Sequence, residues 1–223
     1  MKITRLLQAL LLSAWGLAAA AATPPMQVPD TIAQRAAACI ACHGREGAST
    51  DGGYFPRLSG KPEGYLYNQL LSFRDGRRFN ADMTHMVRHL SDAYLRELAA
   101  YFAGLDLPYP PIPAATDASP AMLARGIPAC AQCHGAALTG VQPGIPGLLG
   151  LPRLYLSSQL GAWLMNDRHA VAPDCMAEVG RKLDSADINA VASWLALQPM
   201  PADTRPLAAL PAPLPTPCSA MKH

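Results

Sequence analysis

The chain is 223 residues long, with 18 lysines and arginines against 16 aspartates and glutamates and a formal charge of +2 at pH 7. Two of those bases, Lys2 and Arg5, lie in an N-terminal leader, and without it 16 bases face 16 acids. No basic patch is left to meet phosphates, which excludes nucleic acid as a partner, and roughly two hundred residues fit two small domains better than one.

The leader runs from Met1 to about Ala22: a short basic start, an apolar run from Leu6 to Leu17, then small residues from Ala18 to Ala22 before Thr23-Pro24-Pro25. This pattern predicts a secretory signal peptide over 1–22, cut in an Ala-x-Ala region after Ala20 or Ala22. The run is short for a bilayer span of about 20 residues, so an uncleaved anchor is the weaker reading. No other segment is apolar and long enough to span. Export puts the mature protein in the periplasm, an oxidising compartment where a thiol not otherwise engaged can form a disulfide.

Asp30 or Thr31 can cap a helix that runs through the Ala-rich stretch 33–38 into Cys39-Ile40-Ala41-Cys42-His43. The same pattern returns at Cys130-Ala131-Gln132-Cys133-His134. In such a run two thiols form thioethers to the vinyl groups of one haem, and the adjacent imidazole reaches the iron from the same side. Zinc would need the two runs to combine, yet each Cys pair carries its own His ninety-one positions from the other. A redox dithiol belongs near a βαβ pattern, which this chain lacks. Cys39, Cys42, Cys130 and Cys133 are thus read as the attachment points of two covalent haem c groups, with His43 and His134 as iron ligands.

An internal repeat stands independently of the haem motif. Pro56 to Leu70 lines up without a gap on Pro146 to Leu160, and Pro, Leu, Gly, Pro, Tyr, Leu, Gln and Leu recur at matching places. Leu66, Leu70 and Phe73 share one helical face, matched by Leu156, Leu160 and Trp163. A later helix starting at Ser91 carries Tyr94, Leu95, Leu98, Tyr101 and Phe102, and Ile188, Val191, Trp194 and Leu195 are its counterpart after Ser185. No alternating strand run appears, so the fold class is all-α. The predicted domains span 27–108 and 121–198, joined by a Pro- and Ala-rich linker at 109–120 and followed by a Pro-rich tail at 199–223. Each is too small to bury much core by itself, and the haem supplies what is missing.

Methionine is the usual partner of His in electron-transfer haems, since its thioether favours reduced iron and raises the potential. The candidates are Met83 and Met86 in the first half, Met165 and Met176 in the second. Aligning the final helices on Leu90 and Leu183 sets Met83 opposite Met176, each seven residues before its Leu, and sets Met86 opposite Val179. The repeat therefore selects Met83 and Met176, leaving Met86, Met122 and Met165 as apolar filling. His85 and His89 face Glu178 and Lys182 in that alignment, so neither has a second-half counterpart, and they are read as surface residues with His169. Cys175 and Cys218 remain after haem attachment. They are read first as a disulfide pinning the tail over the second haem edge, with free or intermolecular thiols, and Cys175 as an iron ligand, as the alternatives.

The two Cys-x-x-Cys-His runs, Phe55-Pro56-Arg57-Leu58-Ser59-Gly60, the Tyr65-to-Leu70 helix, and Met83 followed by Leu90-Ser91-Asp92 and Ala99-Ala100-Tyr101-Phe102 resemble a dihaem cytochrome c of the cytochrome c4 type. The resemblance covers about 28–107 and 121–197. It implies two tandem cytochrome-c-like domains, each wrapped around one covalent haem, and a periplasmic carrier passing single electrons from a respiratory donor to a terminal oxidase or similar acceptor. It also implies that the carbonyls of Pro56 and Pro146 accept the ring N–H of the proximal histidines. Cys175, the long tail with Cys218, and Pro62 and Pro152 in the helix-entry turns depart from the pattern.

Two irons each held by His and Met have no open position, so the expected partners are redox proteins, membrane-bound oxidase or dehydrogenase among them, and no small-molecule substrate. A dihaem subunit of a periplasmic dehydrogenase is the alternative, the tail lying on another subunit. A dihaem enzyme of the peroxidase or thiosulfate dehydrogenase type would need a vacant or labile iron position, against which the matched methionines argue. Residues 27–108 hold nine acids and nine bases and residues 117–200 hold six and five, so docking is expected to be transient, partly apolar and weakly dependent on salt.

Overall fold

A computed structural model describes residues 30–49, 54–110 and 127–222. The signal-peptide reading over 1–22, most of the linker and Met122 lie outside them. Helix α1 (Ile32–His43) starts where Thr31 accepts a hydrogen bond from Gln34 N at 3.2 Å, which satisfies one of the unpaired first-turn donors. It ends at Gly44, whose φ of 77° and a notional Cβ only 2.3 Å from Ser49 O leave no room for a side chain. Helix α2 (Glu63–Arg74), α3 (Ala81–Val87) and α4 (Asp92–Ala103) complete the first repeat. The second repeat follows the same order with α5 (Cys130–His134), α6 (Arg153–Leu164), α7 (Cys175–Gly180) and α8 (Ser185–Leu197).

The periodic apolar faces make the cores. Leu95, Leu98, Ala99 and Phe102 of α4 are buried at i, i+3, i+4 and i+7 and pack with Leu66, Tyr67 and Phe73 of α2. Ile188, Val191, Ala192 and Leu195 of α8 keep that spacing, and α8 packs on α6. Pro62 and Pro152 sit at the N-caps of α2 and α6, where a missing N–H costs nothing. Ser91 caps α4, accepting from Tyr94 N at 3.2 Å. For α8 the cap is Asp184 rather than Ser185, in a reciprocal pair with Asp187 at 2.9 Å each way.

One feature departs from the sequence reading. A two-residue antiparallel ladder, β1 (Gly140–Val141) with β2 (Ile145–Pro146), lies in the second repeat; segments this short carry no detectable alternation. The Pro-rich tail docks on the chain itself, through the Cys175–Cys218 pairing that the sequence reading placed first. Leu207 N donates to Gly140 O at 2.9 Å and Gln142 N to Leu207 O at 2.8 Å, Ser219 N donates to Pro173 O at 3.0 Å, and Cys218 is joined to Cys175 by a disulfide. The tail thereby forms a strap along the second repeat, ending in a 3-10 turn at Ser219–Met221. Among the described residues no helix is long and apolar enough to cross a membrane.

Candidate haem centres

Each Cys-x-x-Cys-His run is helical, so its two cysteines and the histidine lie on one face at i, i+3 and i+4. The geometry at the two histidines is nearly identical. His43 Nδ1 lies 2.8 Å from Pro56 O, and His134 Nδ1 lies 2.7 Å from Pro146 O. A carbonyl only accepts, so Nδ1 carries the proton and Nε2 keeps its lone pair. Both rings are buried. Burial lowers the pKa of each; the proline carbonyl works against it, while Arg78 at His43 and Lys61 at His134 add to it. Each imidazole is therefore held neutral and oriented, the form that binds a metal. Burial also raises the thiol pKa of Cys39, Cys130 and Cys133.

One cavity of about 1290 Å³ runs through both repeats and is lined by Cys39, Cys42, His43, Met83, Cys130, Cys133, His134 and Met176. That exceeds the range of about 300–1,000 Å³ for a site holding one drug-sized ligand. Met83 and Met176 are half-buried, each in the first turn of its short helix. Their settings differ by one position: Asn80 caps α3 by accepting from Met83 N at 3.0 Å, whereas Asp174 caps α7 by accepting from Ala177 N. Met86 also lines the cavity but is exposed, and Met165 is exposed and outside it. His85, His89 and His169 are exposed.

Between the repeats lies a group that the motif-based reading missed. Arg78 and Arg168 are only 7% and 5% exposed, and among the described residues neither meets a carboxylate. Arg78 donates to Gln69 (2.9 Å), Gln159 (2.6 Å) and the Tyr155 hydroxyl (3.0 Å), and Arg168 donates to Gln159 (2.8 Å) and Gln69 (2.7 Å). Burial, then repulsion from Arg78, lowers Arg168 to about 10; burial and Tyr155 push Tyr65 up to about 12. The signal was present in the sequence: Tyr65, Gln69 and Arg78 recur as Tyr155, Gln159 and Arg168, ninety positions on.

Two buried guanidiniums facing the cavity call for anions. Trp163 Nε1, which also lines it, is a buried donor with no acceptor among the described residues. Haem carries carboxylate side arms, vinyl groups and an iron, and this donor set of buried cations, paired thiols and neutral imidazoles fits two such groups. When bound, haem supplies a one-electron redox centre. Cys39 with Cys42, and Cys130 with Cys133, would each hold one such group, His43 and His134 would face the irons, and Arg78 and Arg168 would meet the carboxylates.

The cytochrome c family model matches residues 127–198. The chain is 40% identical over 174 residues to the thiosulfate dehydrogenase electron acceptor of Thiomonas intermedia, covering 74% of this chain and 80% of that protein. It is 34% identical to cytochrome c4 of Pseudomonas aeruginosa, covering 72% and 84%. The crystal structure of reduced recombinant cytochrome c4 from Pseudomonas stutzeri superposes with a TM-score of 0.64 at 30% identity, over 75% of this chain and 96% of that one. With two covalent-haem motifs, a tandem helical fold and relatives of matching length, this chain belongs to the dihaem cytochrome c4 family of c-type cytochromes.

Proposed function

We propose that the protein is a periplasmic electron carrier in which His43 and Met83 ligate one iron, and His134 and Met176 the other, with haem-binding units at 27–108 and 121–198. The observation that carries this reading is the pair of neutral, carbonyl-anchored imidazoles facing one cavity that also receives one half-buried methionine from each repeat. With both axial positions filled, neither iron has room for a substrate, and the protein passes single electrons without being an enzyme. Phe79, 77% exposed, and Met86 stand at the cavity mouth of the first repeat, and Val171 at that of the second. These side chains suit a small, transient, partly apolar docking face.

The test is the absorption spectrum of the haem-loaded protein. Two equivalents of the near-infrared charge-transfer band that reports methionine sulfur on ferric haem, with no carbon monoxide binding after reduction, support the reading. One equivalent, or ready carbon monoxide binding, overturns it. A terminal oxidase or similar respiratory complex is the acceptor in this reading. For the donor, the relative described as a thiosulfate dehydrogenase electron acceptor favours a periplasmic thiosulfate dehydrogenase. Stopped-flow reduction by such an enzyme with thiosulfate tests that assignment, and a rate no faster than for an unrelated c-type cytochrome would remove it.

A further inference from the structure

Lys61 belongs to the first repeat, in the turn entering α2, yet it is only 4% exposed and serves the second repeat. Its Nζ donates to Gly147 O at 2.9 Å. Gly147 directly follows Pro146, whose carbonyl accepts from His134 Nδ1 at 2.7 Å. The ammonium therefore lies one peptide unit from the hydrogen bond that orients the imidazole of the second repeat. The arrangement is not reciprocal: the residue ninety positions on is Leu151, buried in the second core, so no lysine reaches across toward His43.

Among the described residues no carboxylate pairs with Lys61. The charged or titratable groups around it are Arg57 from the preceding turn, His134 across the interface, and Asp106, Tyr109 and Arg205, which line with Lys61 a small cavity of about 310 Å³; Lys61 also lines the large cavity of about 1290 Å³. The Arg57 guanidinium is taken up by the carbonyls of Ser59, Leu107 and Pro108 and by the Tyr109 ring at 3.8 Å. Burial, then Arg57, lowers the pKa of Lys61 to about 7.

We propose that Lys61 is a positioning residue through which the first repeat raises the reduction potential of the second-repeat iron. This rests on His134 being an axial ligand, as read above. A positive charge one peptide unit from the hydrogen bond of the proximal imidazole disfavours ferric iron.

The experiment is a spectroelectrochemical titration of the haem-loaded protein at pH 6, with a Met176→His variant identifying the second-repeat wave. Lys61→Met is expected to shift the ferrous-to-ferric ratio of that wave about tenfold, which is about 59 mV downward for a one-electron couple, leaving the first wave in place. Lys61→Arg, which keeps the charge, is expected to restore the higher potential. An unmoved second wave, both waves moving together, or a Lys61→Arg potential as low as that of Lys61→Met would overturn the proposal. The near-infrared methionine band is read in parallel, so that loss of the ligand assignment shows separately from loss of the Lys61 effect.

Discussion

His43 and His134 show how little is needed to prepare an imidazole for iron: a carbonyl at under 3 Å sets the tautomer and burial keeps the ring uncharged. In the proposed ligation the opposite side depends on methionine alone. Met83→Ala and Met176→Ala are each expected to remove one of the two near-infrared bands and let the affected iron bind carbon monoxide, while Met86→Ala leaves both bands, as absorption spectra will show. Lys61 has a consequence for stability as well. Its folded pKa of about 7 lies below the ordinary value of 10.5, so between these values the unfolded chain binds more protons and this group's contribution to stability rises with pH. The cost of burying the charge is complete below about pH 7 and gone above about pH 10.5. Lys61→Met should therefore gain stability over wild type at pH 6, with the gain shrinking by about 1.4 kcal/mol per pH unit above pH 7. Urea unfolding of both proteins at pH 6, 8 and 10 measures it.

The elements divide into those held by packing and one held by covalent and hydrogen bonds. Leu95 of α4 and Leu195 of α8, at 0% and 2% exposure, are fully buried in the two cores. Truncating either to Ala should cost about 2–5 kcal/mol in chemical denaturation, as for other fully buried leucines. The tail has no helix beyond its terminal turn and little core of its own. It is kept in place by the bridge to Val141, the Ser219–Pro173 hydrogen bond, Thr216 on Glu178 at 2.8 Å, and the Cys175–Cys218 disulfide. Closing a loop of 43 residues contributes about 3 to 4 kcal/mol in the chain-entropy account. Cys218→Ser is accordingly expected to lower unfolding stability by about 2–4 kcal/mol and to make the tail the first site of limited proteolysis. An unchanged digestion pattern would show that the tail is held without the disulfide.

At the scale of the molecule, the two repeats from Thr31 onward form one compact body, joined at the interface by Arg78, Arg168, Gln69 and Gln159 and by Lys61 on Gly147. The glutamines each accept from both arginines, so neither repeat can satisfy its half of the network alone. The surface, in contrast, is nearly balanced in charge. Electron transfer with a partner should consequently change by less than about tenfold as ionic strength rises to about 0.15 M, against much larger losses for strongly steered pairs. Stopped-flow rates across a salt series decide this.

Much of this was legible in the amino-acid order because it rests on local chemistry. Haem attachment needs two thiols and an imidazole at fixed short spacing, helices announce themselves by apolar period, and the duplication lets Met83 and Met176 be matched by counting. Even the arginine network left a trace in the ninety-residue recurrence of Tyr, Gln and Arg. What the order of residues could not disclose depends on contacts between distant segments. Lys61 looks like any surface lysine until its neighbours are known, and nothing in the chain marks Gly147, eighty-six residues away, as its acceptor. Cys175 and Cys218 marked one anchor of the tail, but the rest of its path was hidden, since a Pro-rich segment has no periodicity to point to the surface that receives it. Local pattern determines the cofactor and the helices; only packing decides which charges are buried, and burial is what gives Lys61 and the two arginines their chemistry.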